Sequence, residues 1–361
     1  MRVGIIGCGR IAPVHLAVLG TIPGLEVVGL CDPDLPTAGK LAERFRVSRV
    51  YRTVDELLAE AGPEAVHILT PPKTHAPLAI QVLNSGCHVL VEKPMATSIP
   101  DAESMVLAAE RGGMTLCVDH NRLFDPVVEQ ARNLIERGVI GQVVSIETYQ
   151  GFNRAARPDN HWSLDTATGV FYNLAVHSAY LQHAFIGQVR ELAVVSANTG
   201  RFDSTFAEEL RVLLRGDRAL GYFCFSLDIQ PHMNELHLYG TRGTLLLDLN
   251  TMTLIRRFPT GLPKLIAKSW GNISESLQRV TATAANAVGM VTGRLRLYPG
   301  AGRVIRGFYD SLAVGSAPPV TAREGLEVVR LLTDIYERVQ ARGPNAPFSE
   351  VPDGSIPEQP G

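Results

Sequence analysis

Three strings in this chain carry residue types and spacings suited to chemistry on a phosphate-bearing cofactor. The first is Gly7-Cys8-Gly9-Arg10-Ile11-Ala12, a GxGxxA turn that follows one apolar run and opens a helical pattern. Gly7 permits the tight turn, Gly9 lets backbone N–H groups approach a pyrophosphate, and Ala12 lets the helix pack closely on a sheet. The anion then sits at the positive end of the helix dipole. The second is Asp32, which closes the next apolar run in Leu30-Cys31-Asp32-Pro33-Asp34. Its carboxylate can accept from both hydroxyls of an adenosine ribose and repels a 2′-phosphate, so NAD is favoured over NADP. Arg10 offers a cation beside the adenosine and keeps NADP as the alternative. Asp32 also reads as the start of a turn with Pro33. The third is Glu92-Lys93-Pro94, with Thr70-Pro71-Pro72 ending a neighbouring run. Ligands in open α/β sheets bind at the carboxyl ends of strands, which puts such a lysine beside the nicotinamide. Partial desolvation there brings it within range for proton transfer or for polarising an alcohol.

These strings need elements to hold them. The first 120 residues alternate apolar runs with helical patterns. Strands are expected at Arg2–Ile6, Glu26–Cys31, Ala65–Leu69, His88–Glu92 and Thr115–Val118. Helices are expected near Ile11–Leu19, Pro36–Phe45, Val54–Ala61, His75–Ser85 and Pro100–Arg111. Val, Ile and Leu on both faces are the mark of parallel strands buried between helices, so this half reads as doubly wound α/β. After Asn121 the pattern changes. A helix at Pro126–Arg137 leads to a strand at Val143–Gln150, a polar loop at Gly151–Gly169 and a helix at Val170–Ile186. Strands with short turns follow at Arg190–Ser196, Glu208–Leu214, Ala219–Leu227, Glu235–Tyr239, Thr244–Leu249 and Thr251–Arg256, implying a mainly antiparallel sheet. Helical patterns close the chain at 263–292, 301–314 and 322–341, before a Pro-rich tail at 344–361 read as mobile.

Composition narrows the class. The 361 residues are 45% hydrophobic and carry a net charge of -2, which excludes global disorder and argues against a nucleic-acid binder. The length suggests about two domains. None of the five cysteines forms a CxxC pair, so they read as buried, reduced packing residues. The ten histidines lack ligand spacings such as HxxxH, and no metal is expected. The chain starts straight into a strand, with no signal peptide read before it, and no apolar run reaches the ~20 residues that span a bilayer. A reducing cytoplasm is the expected compartment.

Taken together, the strings from Gly4-Ile5-Ile6-Gly7 through Glu92-Lys93-Pro94 and His120-Asn121-Arg122 to Tyr239-Gly240-Thr241-Arg242-Gly243 resemble the Gfo/Idh/MocA family over nearly the whole chain. The resemblance implies a Rossmann domain (1–120) followed by an α+β domain with a large, mainly antiparallel open sheet (121–343) that binds substrate and pairs subunits. It implies NAD(P)-dependent oxidation of a sugar or cyclitol hydroxyl, a homodimer or homotetramer, and a cis proline matching Pro94 that aims the lysine. A second-domain histidine flanks the reacting carbon in the family; Gly169–Tyr180 is the matching segment, with His177 in that place. Many relatives have Asp four residues before this histidine and another three after it, where this chain has Asn173 and Tyr180. Asn173 can orient the ring or bond substrate but supplies no charge. His177 is therefore the first choice for the base, with Lys93 stabilising the alkoxide or sharing the proton; the reverse assignment competes closely.

Cofactor contacts are assigned to Gly7, Gly9, Arg10, Ile11, Asp32, Thr70, Pro71, His75, Glu92, Lys93, Pro94, Asn121 and Arg122. Substrate contacts are assigned to Lys93, Asn173, His177, Arg154 and Trp162, the last two from a loop that also offers Arg157, His161 and Asp165. Each loop residue alone also reads as a solvated side chain.

One stretch stands outside the family pattern. Residues 256–306 hold nine cations against Glu275 alone, a net +8 that leaves -10 on the rest. It reads as an inserted helical hairpin or one long amphipathic helix. Three roles compete: a helix packed on the sheet or at a subunit interface, an anion site for a nucleotide-diphosphate sugar, and contact with an anionic membrane. The second role slightly favours a nucleotide-linked sugar as substrate. Two rival functions remain: a lyase, epimerase or hydrolase whose NAD is recycled within one turnover, and a non-catalytic NAD-binding regulator.

Overall fold

The computed structural model describes residues 1–153, 167–198, 207–293 and 298–342. Arg154, Arg157, His161, Trp162, Asp165 and the 344–361 tail lie outside the described residues.

The first domain runs β1 (Arg2–Ile6), α1 (Ala12–Leu19), β2 (Glu26–Cys31), α2 (Leu35–Phe45), β3 (Val50–Tyr51), α3 (Val54–Glu56, continued by a π-turn at Leu57–Ala61), β4 (Ala65–Ile68), α4 (His75–Asn84), β5 (His88–Val91), α5 (Ile99–Gly112) and β6 (Leu116–Val118). All six strands are parallel, in the order β3-β2-β1-β4-β5-β6. β4 is buried at every residue and β5 at all but its first, so both faces of the sheet are covered. The order reverses between β1 and β4, which opens a crevice above their carboxyl ends. Sequence patterning passed over β3, since two residues are too few to show an alternation.

A 3-10 turn (Asn121–Phe124) leads into α6 (Pro126–Glu136), β7 (Val143–Asn153), α7 (Ala167–Ile186), β8 (Val189–Ala197), β9 (Glu209–Gly216), β10 (Leu220–Ser226), β11 (Asp228–Gly240), β12 (Thr244–Asp248), β13 (Thr253–Arg257), α8 (Lys264–Val291), α9 (Pro299–Val314) and α10 (Ala322–Arg342). The seven strands lie in the order β13-β12-β11-β7-β10-β9-β8. Every pairing is antiparallel except β7 with β10. β11 starts seven residues before its expected start at Glu235. Its register shifts between Asp228 and Met233, around Pro231, so no clean alternation marks that half.

α7 lies on one face of this sheet. Gln182 donates to the Thr148 hydroxyl and the Tyr222 carbonyl, and Ser178 donates to Gln150. The sheet beneath thereby satisfies the donors of these buried side chains, while the Gln182 Oε1 has no partner among the described residues. The closing helices return to the first domain. α9 packs on α1 and on the 3-10 turn, and Arg306 bonds Thr21. α10 packs on both α5 and α7. Among the described residues, the 256–306 stretch holds the end of β13, the long helix α8 and the start of α9. All five cysteines are buried free thiols, and burial pushes those of Cys8, Cys31 and Cys117 up to about 12.

Candidate active site

The crevice is built from the glycine turn outward. Gly7 sits at φ +94°, and a Cβ there would stand 2.8 Å from the Leu69 carbonyl at the end of β4. Only glycine allows that approach. At Gly9 a Cβ would meet nothing within 4 Å, so the turn opens onto free space at the start of α1. Asp32 braces the turn, accepting from the Cys8 N–H at 2.8 Å and the Asp34 N–H at 2.9 Å. Each carboxylate oxygen keeps a further lone pair for a ribose hydroxyl. Open glycine backbone, helix start and ribose-binding acid together fit a dinucleotide. Arg10 is exposed and Ile11 half-exposed at the rim of this turn.

The β4 and β5 ends are tied together. His75 is buried, with ring nitrogens 2.8 Å from the carbonyl oxygens of Thr70 and Pro94. Burial holds its pKa below the ordinary histidine value. His75 thus sits behind the strand ends and holds Thr70 and the cis Lys93-Pro94 peptide, while Pro71 is exposed in front. Lys93 reaches across to the second domain, donating to both Oδ1 and the backbone oxygen of Asn173 at 3.0 Å.

His177 lies one turn further along α7, on the same helix face as Asn173. Its Nδ1 is 2.7 Å from the Tyr180 hydroxyl, which also accepts the Arg122 backbone N–H at 3.1 Å. Burial holds the Tyr180 phenol well above its ordinary pKa, so it keeps its proton. Either partner can donate in this bond; with the phenol as donor, the ring's own hydrogen lies on Nε2. Burial, Lys93, Arg122 and His120 all push the His177 pKa well below its usual value, so the ring is neutral. Tyr180 also stacks on His120, their ring centres 4.5 Å apart. Arg122 spends its guanidinium on Asp125 and the Leu249 carbonyl, locking the domain junction, with Asn121 beside it in the same turn.

Behind Glu92 lies a cluster that sequence reasoning missed. His15 Nε2 is 3.4 Å from Glu92 and 3.7 Å from Asp119, all three buried. His15 Nδ1 is 2.9 Å from His67 Nδ1, and His67 Nε2 is 2.8 Å from the Tyr309 hydroxyl. Burial and the Glu92 charge hold Asp119 well above the carboxylate range. Burial works to raise Glu92 as well, but contacts with His15 and Lys93 hold it below its usual value. The two carboxyls thus titrate as a pair, with Asp119 pushed up and Glu92 held down. The histidine, glutamate and aspartate ligand atoms lie within 4.8 Å of one another, although no sequence spacing links them. A cleft of about 760 Å³ lies on the far side of His120 and Tyr180, which line it with Arg132, His183, Arg218 and Glu324, and neither Lys93 nor His177 lines it.

Comparison with known proteins now settles the family. Residues 1–120 match the oxidoreductase family with an NAD-binding Rossmann fold, and residues 128–246 match the GFO/IDH/MocA C-terminal domain. The chain belongs to the Gfo/Idh/MocA family. Its first 120 residues are therefore an NAD-binding Rossmann domain. Among curated relatives, D-glucoside 3-dehydrogenase of Escherichia coli is 31% identical over 159 residues, 44% of this chain and 45% of that one. The NAD(+)-dependent scyllo-inositol 2-dehydrogenase of Bacillus subtilis is 26% identical over 62% of this chain and 64% of its own. The matched region thus spans about half to two thirds of these relatives. Among solved structures, the WlbA dehydrogenase of Bordetella pertussis, bound to NADH and UDP-GlcNAcA, superposes with a TM-score of 0.75 at 23% identity. That match covers 95% of this chain and 96% of WlbA, and shows a shared fold.

Proposed function

We propose that this Gfo/Idh/MocA protein oxidises a hydroxyl-bearing carbon of a sugar or sugar derivative, with NAD as the hydride acceptor. Bound NAD supplies a nicotinamide that takes the hydride from carbon. The observation that carries the reading is Lys93, held at the β5 end by two 3.0 Å bonds to Asn173, with His177 one helical turn away. In this proposal the Lys93 amine takes the hydroxyl proton, while His177 donates its Nε2–H to the same oxygen as charge develops there. The carbon is left as a carbonyl. This is the reverse of the first choice that the sequence suggests, and it takes Tyr180 as the donor to His177 Nδ1. The relatives named for glucoside and inositol oxidation support the substrate class.

A nucleotide-linked sugar is the finer reading within this class. Asn173 and Tyr180 put no carboxylate beside His177, and a diphosphate is then not repelled. The basic stretch lends it less support. Arg257 is spent on Glu275, Arg303 on Glu129 and the Phe124 carbonyl, and Arg306 on Thr21. A cytoplasmic homodimer or homotetramer completes the proposal, supported by the buried free thiols and by Val195, Leu213 and Leu220 standing exposed on the second sheet.

The test follows absorbance of reduced cofactor with free sugars and cyclitols against their nucleotide-diphosphate counterparts. NADH formation is expected, and Lys93→Met should lower kcat about a thousandfold with NAD binding unchanged. Tightly held NAD with no NADH formed, but a changed sugar, would replace this reading with internally recycled cofactor. Activity indifferent to both Lys93→Met and His177→Ala would leave a binding protein.

A further inference from the structure

α8 is mounted with its apolar side outward. Along its 28 residues, the half-buried positions that face β13 are small or polar, among them Gly271, Ser274, Gln278, Ala282, Asn286 and Gly289. Hydrogen bonds hold that side down. Gln278 exchanges bonds with the Arg256 backbone, Asn286 donates to the carbonyls of Thr251 and Met252, and Glu275 pairs with Arg257. No residue of α8 is fully buried. Ile266, Trp270, Ile273, Leu277, Val280 and Val291 recur at helical spacing on the other side, and all are exposed. Leu265 is 82% exposed and Val291 89%. A helix that only packs on a sheet turns its apolar stripe to the sheet, the opposite of this arrangement.

The shape and charge of that side decide what covers it. At 100° per residue, Val280, Ile273, Val291, Ile266, Leu277, Trp270 and Val288 fall in an apolar stripe of about 80°, and Leu265 and Met290 extend it on one flank among Ser269, Asn272, Ser276 and Thr283. Lys268 and Arg279 line the border between that flank and the packed side. The helix's acid, Glu275, is neutralised by Arg257. Exposed Phe258 and Leu262 extend the apolar surface just before the helix. No described helix is long and apolar enough to cross a membrane. An outward apolar stripe that carries a tryptophan, free of acids and flanked by cations, matches a helix lying in a lipid interface, where apolar side chains enter the acyl boundary and lysine and arginine reach the phosphates.

We infer that α8 docks this protein on an anionic lipid surface, its axis in the plane of the membrane. The inference does not depend on the proposed reaction.

The experiment is flotation of the full-length protein with vesicles of phosphatidylcholine alone or with about 30% phosphatidylglycerol. The protein should float with the anionic vesicles, with a blue shift of tryptophan emission that Trp270→Phe abolishes. The triple variant Leu265→Glu, Ile273→Glu, Leu277→Glu changes only exposed residues. It should bind vesicles at least tenfold more weakly while NAD binding stays intact. Lys268→Glu with Arg279→Glu should remove the preference for anionic lipid. A wild-type protein that stays unbound, or a triple variant that binds equally well, overturns the inference. So does a wild type that stays off vesicles but forms an oligomer which the triple variant dissolves, since a second copy then owns this face.

Discussion

Tyr180 changes what the residue three positions before it can do. A carboxylate at this place would accept from Nδ1 and make the ring a stronger base. A phenol that keeps its proton can instead donate to Nδ1 while one of its two acceptor lone pairs takes the Arg122 N–H. The Tyr180→Phe variant keeps the stack on His120 and removes only the hydroxyl. Its kcat should fall about tenfold, with the KM for NAD unchanged, as expected when a hydrogen bond that sets a proton-transfer group is lost. A kcat within twofold of wild type would show that the Tyr180 hydroxyl does not set the state of His177. Asp32 is the second residue whose role is local. Replacing it with serine removes the charge that repels a 2′-phosphate, so the NAD-to-NADP preference should narrow at least tenfold when both affinities are titrated. An unchanged ratio would mean that Arg10 or its surroundings already set the preference.

The elements meet at the 3-10 turn that carries Asn121 and Arg122. Gly300, in the first turn of α9, lies so close to it that a Cβ would stand 2.0 Å from the Asn121 carbonyl oxygen. An alanine there gains helix propensity but must push the turn away. Gly300→Ala should therefore destabilise the protein by about 2 kcal/mol, and should weaken turnover as well because Arg122 positions the Tyr180 hydroxyl. A thermal melt at or above that of wild type would show that α9 can move without cost. This contact was not readable from the chain. Residues 121 and 300 are far apart in sequence, and Gly300 reads there as an ordinary helix-start glycine.

At the scale of the whole molecule, buried histidines couple stability to acid. Burial is the main cause that lowers His67, His120 and His177, His120 to about 3. In the unfolded chain each binds a proton below about pH 6.5. Unfolding therefore takes up protons below that pH, so the stability is present above it and is lost as pH falls toward the folded values. His120 alone should account for about 2 kcal/mol of lost stability between pH 7.5 and 5. Urea unfolding at the two pH values measures this, and His120→Phe, which keeps an aromatic ring against Tyr180, should shrink the difference by that amount. Equal stability at both values would mean that water reaches these rings.

Local chemistry was legible in the chain wherever one short segment does the work. The glycine turn, Asp32 and the Glu-Lys-Pro strand end announce themselves because a tight turn, a ribose acid and a strand-end lysine need fixed residue types at fixed spacing. The parallel and antiparallel halves were legible too, since strands buried on both faces carry Val, Ile and Leu on both, and short turns between consecutive strands require antiparallel pairing. Only the folded molecule decided the rest. The lowered pKa of His177 owes part of its shift to Arg122, brought from 55 residues away in the chain. The His15, Glu92 and Asp119 cluster joins a helix and two strand ends that share no spacing. The amphipathic pattern of α8 was plain in its residues. Which side it turns to the sheet is a matter of hydrogen bonds from Gln278 and Asn286 to β13 and its preceding turn, and a one-dimensional pattern holds no information about that.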